Sequence, residues 1–316
     1  MEKQKYSCTI LGANGYIGRH LAYYLNQKGF RVFAYDIQPE RNPNLPAEIQ
    51  YEQFDICHNY DHINFKVDYL FVFSGITGTK NGFDQYRQFV EVNEIGLLNV
   101  LSKVKDMEKK PKVIFPSTRL VYKGMDNPLS EDAEVEAKTI YAANKLACEH
   151  YLKMYANCFG LTYNIYRICV PYGNLFDYDF SYGTVGAFLS RAKSGGTITL
   201  YGDGGIKRTL THVMSVCQQI TDSMLLPVGN NCTFNITGES FSLKELAEKI
   251  AAIYNTPVSF VPWNEMDRRI ESGSTEFDSR KIECLIRVDD KWKFDEWIKE
   301  VKNQEFINHT TSSRMQ

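Results

Sequence analysis

The sequence of 316 residues predicts an α/β fold, a doubly wound (Rossmann) parallel sheet with a smaller C-terminal α/β region. Three observations carry that expectation. An apolar run over 6–11 enters a glycine-rich turn, and an amphipathic helix follows with Ile17, Leu21, Tyr24 and Leu25 on one stripe. A second apolar run, 31–36, closes on an acid eighteen residues past the last glycine of that turn. Beyond it strand-like and helix-like stretches alternate, as they do in parallel sheets with crossover helices.

The turn reads Gly12-Ala-Asn-Gly-Tyr-Ile-Gly18. Glycines between strand and helix let the backbone approach a diphosphate, and the helix N-terminus offers N–H groups and a positive dipole end. The G-x-x-G-x-x-G spacing differs from G-x-G-x-x-G, and alone it also fits a tight turn with glycines for packing. Asp36 decides between the two. A carboxylate at that register accepts hydrogen bonds from adenosine ribose hydroxyls and repels a 2′-phosphate. No basic residue follows before Arg41, so NAD is favoured over NADP.

Composition removes other classes. A formal charge of −2 offers no basic footprint for nucleic acid. No apolar run reaches membrane-spanning length, and Met-Glu-Lys-Gln-Lys lacks the apolar core of a signal peptide. The eight cysteines are scattered without a C-x-x-C pair, which suits a reducing, cytoplasmic setting.

In chain order, a third strand at 49–54 closes on Asp55, and a fourth at 68–74 opens into Gly75-Ile-Thr-Gly-Thr. A helix is expected over 84–104, then a fifth strand at 112–116 with Ser117-Thr118 at its carboxyl end, where open α/β sheets bind ligands. A polar loop, a helix over 139–156 and a sixth strand at 161–167 follow. The Tyr-, Gly- and Phe-rich stretch 172–188 reads as loops over a cleft. A strand at 197–201, a helix at 211–225, a strand at 232–237, a helix at 243–254, a strand at 258–261 and a last helix at 293–303 complete the expectation. The organisation is then a dinucleotide domain over 1–170, joined by about 205–228, a substrate region over 171–204 and 229–306, and a flexible tail at 307–316.

The chemistry centres on Tyr141 and Lys145, four apart and therefore on one helix face. A nearby ammonium favours the phenolate and lowers its pKa toward neutrality, which suits acid–base work. An isolated Y-x-x-x-K is more often an ordinary helix face. Here it follows a strand-end hydroxyl pair and a glycine-loop fold.

Together these motifs resemble the extended short-chain dehydrogenase/reductase family, in its nucleotide-sugar epimerase, dehydratase and reductase branch, over nearly the whole chain. Gly12–Gly18 is similar to the family's cofactor loop, Asn93-Glu-Ile-Gly96 to its N-x-x-G helix, and Pro116-Ser-Thr-Arg-Leu-Val-Tyr122 to its S-S-x-x-V-Y-G segment. The resemblance implies NAD held by Gly12, Asn14, Gly15, Tyr16, Ile17 and Gly18, with Asp36 and Ile37 at the ribose and Asp55 and Ile56 beside the adenine. Ser74, Gly75, Asn93, Ser117 and Val170 would complete the cofactor site. It implies Thr118, Tyr141 and Lys145 as catalytic residues, the last two also touching the cofactor, and no metal. Substrate contacts would come from Thr77, Thr118 and Arg119, from Tyr201 against the base, and from Arg208 and Arg268 on the diphosphate.

The departures from the family pattern discriminate. Arg119-Leu120 stands where the 4,6-dehydratases carry Asp-Glu, and the Glu of the decarboxylases is missing too, so dehydration is disfavoured. Val170 replaces an Asn common in epimerases, a loss shared with some 4-keto-sugar reductases. Ser215 and Val72 replace a common Asp and His. The leading expectation is an NAD-dependent nucleotide-sugar epimerase working through a transient 4-keto sugar, homodimeric through the helices at 84–104 and 139–156. A nucleotide-linked 4-keto-sugar reductase and a non-catalytic dinucleotide-binding regulator are the alternatives.

Overall fold

The computed structural model describes residues 6–177, 181–289 and 291–312, with side chains through 304. Runs of β-branched and aromatic residues form the sheet, because a parallel sheet covered on both faces needs strands that are apolar almost throughout. The strands are β1 (Ser7–Leu11), β2 (Arg31–Asp36), β3 (Gln50–Gln53), β4 (Tyr69–Val72), β5 (Lys112–Thr118) and β6 (Tyr163–Ile168). Next come β7 (Val170–Tyr172), β8 (Ile198–Tyr201), β9 (Lys207–His212), β10 (Cys232–Asn235), β11 (Glu239–Ser242) and β12 (Val258–Val261). Seven of them pair in the order β10-β6-β5-β4-β1-β2-β3. Every pairing in that sheet is parallel. The winding reverses between β1 and β4, and a crevice opens at the carboxyl ends of those strands.

The helices are α1 (Tyr16–Gln27), α2 (Asn81–Asp84), α3 (Tyr86–Val90), α4 (Gly96–Val104), α5 (Ile140–Phe159) and α6 (Gly183–Lys193). They continue as α7 (Val213–Met224), α8 (Leu243–Tyr254), α9 (Glu265–Ile270), α10 (Arg280–Glu283) and α11 (Phe294–Ser312). A small three-stranded sheet, β11-β9-β7, and the pair β12-β8 lie apart from the main sheet. Their core gathers Val185, Leu189, Leu246, Ile250, Trp297 and Ile298.

Several elements differ from the sequence expectation. The helix expected over 84–104 is broken into α2, α3, a π turn over Glu91–Ile95, and α4. The π turn carries Asn93 inward, where its amide accepts from the Ile76 N–H at 2.8 Å and donates to the Ile76 carbonyl at 3.0 Å. The stretch read as loops, 172–188, holds the last residue of β7 and the first half of α6, the latter hidden by the glycines of Gly183-Thr-Val-Gly; residues 178–180 lie outside the described residues. The segment read as a helix from 211 begins in β9 instead, and α7 starts only after His212, whose Nδ1 caps it by accepting from the Met214 N–H at 3.2 Å. The last helix runs past 303 to Ser312, so the expected tail begins as helix; 313–316 lie outside the described residues. Among the described residues no helix is long and apolar enough to cross a membrane.

One buried ion pair ties the centre together. Glu149 on α5 accepts from Arg167 of β6 through Nε at 3.0 Å and Nη2 at 2.7 Å, and from the Ser117 hydroxyl of β5 at 2.5 Å. Glu149 is fully buried, so removing it strands a buried guanidinium. Glu149→Ala is expected to lower unfolding free energy by about 3–5 kcal/mol, read as a lower urea midpoint at unchanged slope.

Candidate active site

A cavity of about 650 Å3 opens at the switch point. Its walls come from the glycine turn (Gly12, Gly15 to Gly18), the loop after β4 (Phe73, Gly75 and Thr77 to Thr79, without Ser74), the end of β5 (Pro116 to Leu120), α5 (Tyr141, Lys145), the β6–β7 segment (Ile168 to Pro171) and the start of α6. Arg119 and Lys145 are its cations, and no Asp or Glu lines it among the described residues.

The turn is tight because two glycines leave no alternative. Gly12 has φ 90°, and a Cβ there would sit 2.5 Å from the Ser74 nitrogen. A Cβ on Gly18 would meet the Gly12 carbonyl oxygen at 2.0 Å. The first residues of α1 therefore face the cavity, and Gly15 caps the helix without a side-chain hydrogen bond. An uncapped helix N-terminus opening into a cavity with cationic walls fits a diphosphate. Gly75 is held close by the same device, since a Cβ would lie 2.9 Å from Asn93 Oδ1.

Asp36, at the end of β2, accepts from the Asn14 N–H at 2.9 Å and the Gln38 N–H at 3.2 Å. The Asn14 side chain pins the loop beyond, donating to the Glu40 carbonyl and the Tyr51 hydroxyl and accepting from the Asn42 N–H. Ile37 is exposed, and Ile56 is buried against Gly96. Asp55 accepts from the Cys57 N–H at 2.9 Å and lies 3.2 Å from His58 Nδ1. Partial burial pushes the Asp55 carboxyl up, but the Cys57 and His58 contacts outweigh it and hold its pKa low. Asp36, Ile37, Asp55 and Ile56 sit beyond the cavity wall, along the β2 and β3 ends of the same crevice.

Thr118, Tyr141 and Lys145 share one wall. Thr118 Oγ1 accepts from the Leu120 N–H at 3.3 Å, which leaves the hydroxyl proton for the cavity. Lys145 Nζ donates to the Pro116 carbonyl at 2.8 Å and stands 5.9 Å from the Tyr141 ring centroid. The expected lowering of the Tyr141 phenol does not occur in the chain alone. Burial raises its pKa, and Tyr182 and Cys148 add to the rise. Burial also draws Lys145 down to about 8, against Cys148 and Glu149. In a dry wall the cost of charge outweighs one ammonium at that distance.

Other expected residues are placed differently. Ser117 spends its hydroxyl on Glu149. Asn93 spends its amide on Ile76, and Val170 lines the cavity. Thr77 shares a 2.9 Å hydrogen bond with the Tyr182 hydroxyl, and the Tyr182 ring stacks on Tyr16 at 5.1 Å. The Tyr16 hydroxyl donates to the Gly173 carbonyl at 2.5 Å. Tyr182 closes over the glycine turn in this way, a role that no local pattern announced. Arg208 is buried and donates to the carbonyls of Lys207 and Gly273 and to Glu271 Oε1, so its guanidinium faces protein. Tyr201 stacks on Trp263 at 5.0 Å, and Arg268 is exposed on α9; neither lines the cavity.

A parallel sheet with a glycine-turn crevice and a Thr, Tyr and Lys wall defines a dinucleotide-dependent enzyme. Residues 8–264 match the NAD dependent epimerase/dehydratase family, and the chain belongs to it. It is 27% identical over 328 residues to a UDP-N-acetyl-alpha-D-glucosaminuronate decarboxylase of Bacillus cytotoxicus, covering 95% of this chain and 99% of that one. To a UDP-glucose 4-epimerase of Mycolicibacterium smegmatis it is 27% identical, covering 78% and 82%. The solved Thermus thermophilus UDP-glucose 4-epimerase in complex with NAD superposes with TM-score 0.81 at 22% identity, covering 94% of this chain and 98% of that one. The protein is an NAD-dependent enzyme, and the geometry of its glycine turn fits that cofactor.

Two outcomes follow from this geometry. Gly12→Ala is expected to weaken NAD binding by at least about tenfold, or about 1.4 kcal/mol, in calorimetric titration. Because Lys145 titrates near 8, NAD affinity is expected to fall as pH rises through about 8, and to show no such fall in Lys145→Met.

Proposed function

We propose that the protein is a nucleotide-sugar epimerase that oxidises the sugar at C4 and reduces the resulting ketone from its other face. The observation that carries this reading is the cavity wall, where Thr118, Tyr141 and Lys145 stand together and, among the described residues, no carboxylic acid is present to drive dehydration. Bound NAD supplies the carbon that takes up a hydride and gives it back. Tyr141 as phenolate takes the proton from the C4 hydroxyl and later returns it. Thr118 donates to the same oxygen as it becomes a carbonyl and so stabilises the charge that develops there. Lys145 holds positive charge behind the phenol and grips the cofactor's ribose. The wall of Gly75, Thr77, Gly78 and Thr79 gives the keto sugar room to turn.

A 4-keto-sugar reductase on the same three residues is the second reading, supported by Val170. The eight free cysteines support a reducing, cytoplasmic setting. Exposed Ile95 and Met154, on the two helical stretches named for pairing, support a homodimer. Arg208 and Arg268 would reach a substrate diphosphate only after Arg208 leaves Glu271.

The test is to release the dinucleotide from protein purified without added nucleotide, then assay UDP-, dTDP-, CDP- and GDP-sugars. Bound NAD near one per chain and epimer formation without net NADH are the expected results. An empty site that prefers NADPH would overturn the epimerase in favour of the reductase. Tyr141→Phe is expected to lower kcat by about 10²- to 10⁴-fold with NAD content unchanged.

A further inference from the structure

Arg119 follows Thr118 directly and lines the cavity, yet among the described residues no carboxylate pairs with it. Among those residues its one side-chain hydrogen bond runs from Nη1 to Ser272 Oγ at 3.2 Å. The acid nearest in effect is Glu271, whose Oε1 is already taken by Arg208 Nη2 and by the Gly273 N–H at 3.0 Å. Arg208 contributes a like charge instead of relief. Burial and Arg208 together draw the Arg119 pKa down to about 10, against Cys169 and Glu271, so it stays charged at neutral pH. A guanidinium held in a cavity wall without a counter-ion costs free energy in the empty protein. That cost is recovered when a planar anion supplies two oxygens to its fork.

We propose that Arg119 recognises a carboxylate on the sugar, and that the substrate is therefore an acidic, hexuronate-type nucleotide sugar. The inference rests on the epimerase reading, in which Thr118 bonds the oxygen on C4. The substituent on C5 is the neighbour of that oxygen, and Arg119 is the neighbour of Thr118. The diphosphate sits on C1, across the ring from C4. A hydroxymethyl group on C5 leaves the guanidinium unpaired, whereas a carboxylate meets it with two charge-assisted hydrogen bonds. Lys145 cannot serve instead, being bound to the Pro116 carbonyl and set behind Tyr141.

The experiment takes the full chain with its NAD and first finds which of UDP, dTDP, CDP and GDP binds tightest. The glucuronate and glucose derivatives of that nucleotide are then compared as kcat/KM for wild type, Arg119→Met and Arg119→Lys. The Kd of the free nucleoside diphosphate is measured for each. A wild-type preference for the glucuronate of about a hundredfold or more is expected. Arg119→Met should abolish that preference while leaving nucleoside diphosphate binding unchanged, and Arg119→Lys should restore part of it. If Arg119→Met weakens the free nucleoside diphosphate and both sugars equally, the arginine serves the diphosphate and the inference is overturned. Equal wild-type turnover of both sugars, or a preference for glucose, overturns it without any variant having to fold. Binding of none of the four nucleotides, with no turnover, would sink the epimerase reading itself.

Discussion

The contact on which most of the site depends is the buried Glu149–Arg167 pair with Ser117 attached to it. It joins three elements that line the cavity: the end of β5 with Thr118, the helix with Tyr141 and Lys145, and the strand that leads to Cys169 and Val170. Arg167 also donates to the Glu131 carbonyl at 2.8 Å and lies 4.6 Å from the Tyr122 ring centroid, which ties down the polar loop after β5. A bidentate pair in a fully buried place tolerates little displacement of either partner. Thr118 and Tyr141 therefore keep their relation although they stand on separate elements. In the proposed reaction a hydroxyl and a phenol address one oxygen, and this pair fixes the frame in which they can.

Close backbone approach does similar work at the cofactor end. Gly12, Gly18 and Gly75 each stand where a single added carbon would collide with backbone or with Asn93. Asn93 reaches its place only because the helix relaxes into a π turn, a distortion that is frequent at functional sites. Its amide closes on both backbone groups of Ile76 and so sets the loop that forms one cavity wall.

The electrostatics of the cavity are one-sided. Among the described residues two cations face it and no carboxylate does, which suits the anionic diphosphate of the cofactor. Burial drives Tyr141 toward the neutral phenol, and Lys145, drawn down to about 8 but still mostly charged at neutral pH, does not offset it in the chain alone. An oxidised nicotinamide held beside Tyr141 would supply positive charge that favours the phenolate. Proton chemistry would thereby be coupled to having the cofactor in place.

The parallel sheet and the glycine turn were legible in the sequence, since each depends on local spacing and strand-end position; Thr118, Tyr141 and Lys145 were candidates through a family resemblance, and the structure sets them on one cavity wall. Helix and strand periods recorded most of the main sheet, with β1 and β2 read nearly to the residue. Contacts across distant segments were not legible. Whether an arginine faces substrate or protein is decided by what folds beside it, and Glu271, far away in sequence, claims Arg208 while Arg119 has no carboxylate partner among the described residues. The same holds for Tyr182 over Tyr16 and for the π turn at Asn93, where a backbone partner outside the helix sets the shape. By itself the sequence determined the fold and the residue types available for chemistry, because those follow from local period and spacing. Only the tertiary structure decided which charges remain free to meet a ligand, because pairing a charge is a property of the whole fold.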